Sequence, residues 1–264
     1  MTPDESLSLA DNPNFIEGIY NYCYRWCERC TMTSRCLVYA TTPSDEDIQE
    51  GSAEDKKQAM FRQIENSFQL TIDLLNKLAT EHGIDLNKGE DSENTLQEHR
   101  HLRGKIEKSS LSRLAKEYLD CTHQWLNQSD DFAQAKDREL QQAFIMELPD
   151  RNPEQELADL KNALDVVHWY YFQINVKLVR AQASRIRQTE WEDEEAPAQK
   201  DSDGSAKVAL IGIERSIGAW GMLLHHFPDQ ENSILHLLSI LERLLHMTET
   251  EFPDARGFFR NGLD

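Results

Sequence analysis

The chain has 264 residues, 28% of them charged and 39% hydrophobic, and a formal net charge of −19. It is long enough to bury a sizeable core, as one large domain or as one domain with an appended module. The acidic balance excludes the general electrostatic footprint of a nucleic-acid binder, which needs clustered Lys and Arg, and leaves room only for local basic patches.

The sequence contains no run of about 18 apolar residues, so no membrane-spanning helix is expected. Met1 to Asp11 is acidic and polar, unlike a signal peptide, and cytoplasmic residence is the expectation. Residues 1–13 read as a disordered N-terminus. Residues 14–42 form a cysteine-bearing segment. Within it Asn14 to Cys30 reads as a helix, because Phe15, Ile16, Ile19, Cys23, Trp26, Cys27 and Cys30 recur at spacings of three and four. Thr41 to Asp55 is an acidic, polar link between the cysteine segment and the bundle.

Residues 54–188 read as the first part of a helical bundle. Phe61, Ile64, Phe68, Ile72, Leu75 and Leu78 trace a stripe that Gly83 stops. Asp85 to Glu93 is a polar connection. Leu96 to Leu126 is helical again, weakened at Gly104 and Ser109-Ser110. Its second half carries the stripe Leu111, Leu114, Tyr118, Cys121 and Trp125, with Cys121 read as core. Ser129 to Leu148 forms another helix that Pro149 ends. Asn152-Pro153 opens the longest helix, with Leu157, Leu160, Leu164, Val167, Tyr171, Ile174 and Leu178 as its stripe, and its apolar stretch makes it central.

Residues 189–206 carry Glu192, Asp193, Glu194 and Glu195, then Asp201 to Ser205, and read as an acidic mobile loop. Residues 207–264 supply the C-terminal helices, Lys207 to Phe227 and Asp229 to Glu249. Phe-Pro-Asp closes each, at 227–229 and 252–254, where proline ends one helix and can start the next. No alternation of strand type occurs. The expected fold is all-α, a bundle of five or six helices with an N-terminal cysteine-bearing helix.

Four of the five cysteines, Cys23, Cys27, Cys30 and Cys36, fall within 14 residues. In a reducing compartment such a cluster reads as a metal site rather than a disulfide framework. Four thiolates suit tetrahedral zinc or a 4Fe-4S iron–sulfur cluster. Arg25, Arg29 and Arg35 interleave with them and would partly offset a thiolate-rich centre. Cys23-x3-Cys27-x2-Cys30 resembles the signature of radical S-adenosylmethionine enzymes. That family's chemistry sits in a barrel of alternating strands and helices, which this chain lacks, and Arg29 stands where an aromatic residue is usual. Cys27-x2-Cys30-x5-Cys36 resembles the last three ligands of the iron–sulfur loop in helical glycosylases of the endonuclease III type. That resemblance implies a four-cysteine ligand set and no activity.

A second set is weighed beside the first. Glu65 and Glu214 lie among apolar helix positions, and Asp165 and His168 form an Asp-x-x-His pair, as do Asp120 and His123. The inventory resembles that of a ferritin-like di-metal bundle, with Asp where that pattern has Glu. No Gly-rich phosphate loop, Gly-x-Ser-x-Gly elbow or His-Glu-x-x-His occurs. The sequence therefore names no catalytic residue. The leading expectation is a metal-binding protein with a structural or electron-transfer role. The alternatives are a di-metal oxidase or oxygenase, and a zinc-stabilised adaptor whose acidic surface engages a basic protein partner; no nucleic-acid or membrane partner is expected.

Overall fold

A computed structural model describes residues 12–42, 53–85, 92–146, 152–190 and 200–264. The expected N-terminal disorder up to Asp11, the stop at Pro149 and the acidic run Glu192–Glu195 lie outside the described residues. Eight α-helices occur among them: α1 Leu37–Thr41, α2 Ala53–Glu81, α3 Ser92–Lys108, α4 Ser110–Asn127, α5 Ser129–Ile145, α6 Pro153–Glu190, α7 Asp201–His226 and α8 Glu231–Glu251. No strand is present among the described residues, and the fold is all-α. The chain divides into two compact units, one of residues His99–Phe259, the other of Met1–Glu98 with Arg260–Asp264.

The larger unit is built around α6 and α7, which lie against each other over most of their lengths, with α4 and α8 completing the core. Gly212 lets these two backbones approach, since a Cβ there would stand 3.0 Å from the Tyr170 ring. Of the α6 stripe, Leu160, Val167, Ile174 and Leu178 are buried and Leu164 and Tyr171 half-buried, whereas Leu157, near the helix start, is exposed. Trp220 of α7 is fully buried and donates through Nε1 to the Tyr118 hydroxyl at 3.0 Å. Trp125 meets Trp220 edge-on with centroids 4.9 Å apart and lies 5.0 Å from Phe132. Helices α4, α5 and α7 thus share one aromatic cluster.

Local chemistry explains where helices end. The weakness expected at Ser109-Ser110 is a break, and Ser109 caps α4 by accepting from the Ser112 amide at 3.0 Å. Buried Gln182 of α6 bonds Ser109, Ser112 and Glu251, joining this corner to the end of α8. Phe227 and Phe252 end α7 and α8 with nearly equal backbone angles, φ −125°, ψ 65° and φ −128°, ψ 71°. Each precedes a proline, whose ring disfavours the helical conformation of the residue before it. Both rings are buried, so the stop also places an anchor.

Three expectations need correction. The acidic loop does not reach residue 206: α7 begins at Asp201, and Ser202, Asp203, Gly204, Ser205 and Ala206 are buried. Arg180 of α6 holds the Asp201 carboxylate at 2.6 Å, fixing the first turn. Cys121 is half-buried at the edge of its stripe rather than core. The α2 stripe is exposed, with Phe61 62% and Phe68 67% accessible, although its helix runs from Ala53 to Glu81 much as the periodicity predicts.

Asp203 makes the α7 start sensitive to pH. Burial, and then the nearby Asp254 carboxylate, push its carboxyl above the ordinary Asp range, against the smaller opposing pull of Lys200. The folded chain therefore holds this proton more tightly than the unfolded chain. The resulting stability is full below the ordinary carboxyl range and is lost as the pH rises through the raised value. Asp203→Asn is expected to raise the thermal midpoint at neutral pH and to have a smaller effect near pH 3, as thermal unfolding followed by circular dichroism would record. An equal shift at both pH values would refute the assignment.

Candidate metal centre

The cysteine segment is not a helix, which corrects the expected span Asn14 to Cys30. Its chain turns, with single 3-10 turns at Cys27–Arg29 and Thr33–Arg35, before α1 begins at Leu37. The Ile16 amide donates to the Arg35 carbonyl at 3.0 Å, and Arg35 Nε donates to the Asn14 carbonyl at 3.3 Å. These bonds bring Cys36 back beside the start of the segment. Ile19, only 3% exposed, anchors it.

The far end of the chain completes this unit. Asn261 Nδ2 donates to the Glu17 carbonyl at 3.2 Å. Arg260, 4% exposed, sets its guanidinium 5.0 Å above the Tyr24 ring and donates through Nε to Asp264 at 2.9 Å. Gly262 has a φ of 69°, and a Cβ there would come within 2.6 Å of Ile16, so only glycine fits without displacement. Sequence reasoning missed these residues. They are not ligand types, and a separation of more than 200 positions leaves no local pattern to read.

Two of the four cysteines already accept backbone hydrogen bonds. Cys23 Sγ accepts from the Arg25 amide and Cys30 Sγ from the Met32 amide, each at 3.4 Å. Arg25 has a φ of 56°, a conformation uncommon outside glycine, in the turn that aims its N–H at sulfur. Amides directed at cysteine sulfur recur around bound metals, and the Cys23 thiol also donates to the Tyr20 carbonyl at 3.6 Å. The Cys27 thiol is pushed up by burial first, and then by Cys23, Glu28, Cys36 and Cys30. All four cysteines are free and half-buried.

Four thiolates on one centre need compensating positive charge. Two of the three arginines expected to supply charge have structural partners instead: Arg29 lies 4.1 Å above the Trp26 ring, and Arg35 bonds the Asn14 carbonyl. Among the described residues, no three His, Cys, Asp or Glu side chains are arranged to hold a metal ion. Two of the four sulfurs in the segment accept backbone amides.

The second set is differently placed. Glu214 is exposed and accepts from Arg256 at 2.8 Å, an ion pair that Glu249 shares at 2.6 Å. His168 is exposed on α6, edge-on to Tyr171 at 6.5 Å, rather than turned into the core. Asp165 is half-buried and Glu65 is exposed on α2. His123 is exposed as well.

Set against protein-family models, curated proteins and solved structures, the chain matches none of them. Among the described residues no helix is long and apolar enough to cross a membrane.

Proposed function

We propose that Cys23, Cys27, Cys30 and Cys36 ligate one metal centre, a 4Fe-4S cluster or a zinc ion, in a protein where that centre has a structural or electron-transfer role. The observation that carries this reading is the pair of amide-to-sulfur turns at Cys23 and Cys30, in a cross-bonded segment whose sequence carries four cysteines within 14 residues. Two cross-bonds and the C-terminal residues hold that segment in place of a regular helix. A bound zinc would lock the loop, and a cluster would add the capacity to carry an electron. The chain's own part is to present four sulfurs and aim amides at two of them.

Anaerobic purification followed by metal and acid-labile sulfide analysis tests the proposal. Near-stoichiometric iron with sulfide and a brown chromophore supports a cluster. Colourless protein with near-stoichiometric zinc supports the structural site. Protein with neither metal sinks the proposal.

The di-metal reading has weaker support, because Glu214 is engaged by Arg256 and His168 faces solvent.

A further inference from the structure

The chain is strongly acidic, yet residues 99–116 carry six Lys and Arg against the single acid Glu107. They fall where α3 turns into α4, and three of them, Arg103, Arg113 and Lys116, line a cleft of about 810 Å³ between α3, α4 and α6, together with Glu107. That volume lies within the range of small-molecule sites. Leu102, Ile106 and Val179 give the cleft an apolar wall, and the first two are each only 7% exposed. Arg113 and Lys116 line it from α4, and Asn175 from α6. Arg103 is held at 2.7 Å by Glu107. Among the described residues neither the Arg113 nor the Lys116 side chain has an acidic partner.

We propose that this cleft binds a small anion of nucleotide size, with phosphate at one end and an apolar ring at the other. The ring lies on Leu102, Ile106 and Val179, and the phosphates meet Arg113 and Lys116. Both cations belong to the first two turns of α4, where the positive end of the helix dipole adds to their field. The guanidinium matches a phosphate with two parallel bonds, while the ammonium serves as a point charge. Asn175 can accept from or donate to the ring. Two cations on the rim of an open cleft suit a compact anion better than an extended strand, which the remaining acidic surface would repel.

Equilibrium dialysis of the full-length protein with ATP as probe tests this. Saturable binding is expected with a Kd below about 1 mM. Arg113→Ala and Lys116→Ala are each expected to weaken it about tenfold or more, as loss of a hydrogen bond to a charged group does. Arg113→Glu is expected to abolish it. These side chains lie on the surface of the cleft, and unchanged circular dichroism would confirm that the variants fold. Tripolyphosphate, which lacks the ring, is expected to bind more weakly than ATP. No saturable ATP binding overturns the proposal, as does binding that the three variants leave unchanged. Tripolyphosphate binding equal to ATP, or a single-stranded oligonucleotide binding more tightly than ATP, overturns it too.

Discussion

Cys27→Ser is expected to lower bound metal from near one centre per chain to about a tenth of that or less, because a four-thiolate site loses a ligand it cannot replace. Cys27 belongs to both cysteine spacings of the segment, x3 from Cys23 and x2 to Cys30. Metal analysis and the visible spectrum of wild-type and variant protein, prepared side by side, measure the effect. Cys121→Ser is the control, since Cys121 lies on α4 in the other compact unit and should leave the metal content unchanged. Equal loss in both variants would mean that the cysteines matter only for folding. Full retention in Cys27→Ser would remove Cys27 from the ligand set.

Trp220→Ala is expected to cost about 3–5 kcal/mol of stability, the range for removing a buried large aromatic side chain. Trp220 is fully buried at the centre of the α6–α7 core. Removing it opens a cavity beside Trp125 and leaves the fully buried Tyr118 hydroxyl without its indole donor. The Tyr118 hydroxyl is pushed up by burial above all, and its bond from Trp220 pulls the other way. Trp220→Phe keeps much of the volume and loses the hydrogen bond, so a smaller cost of about 1–3 kcal/mol is expected. Urea denaturation with a shared slope separates the two variants. A cost below about 1 kcal/mol for the alanine variant would show that Trp220 is not at the centre of a cooperative core.

Periodicity placed most of the helices well. The stripes Leu111, Leu114, Tyr118, Trp125 and Leu160, Val167, Ile174, Leu178 are buried because spacings of three and four line one helical face. Phe-Pro-Asp marked both C-terminal helix ends because proline acts on its own neighbour, and such a constraint is written locally. The cysteine segment misled for a related reason. Spacings of four and three match a helical face, but they also serve turns that converge on one point. Bonds from the Arg25 and Met32 amides to sulfur, and the positive φ of Arg25, replace the helical ladder there. Asp201 to Ser205 misled through composition. Short polar residues read as solvated loop, yet a helix start also favours them, and in this chain the turn is buried and tied to Arg180.

The sequence by itself determined the all-helical class, most helix positions and the four cysteines as the one concentrated set of soft metal ligands. Each of these depends on chemistry within a few residues. Only the tertiary structure decided that the cysteine segment is a cross-bonded loop and that Arg260, Asn261 and Gly262 close against it. It also decided that Glu214 belongs to Arg256, and that the basic stretch after His99 borders a cleft with an apolar wall. These depend on which faces meet across long chain separations, and side-chain spacing along one helix carries no record of its partner.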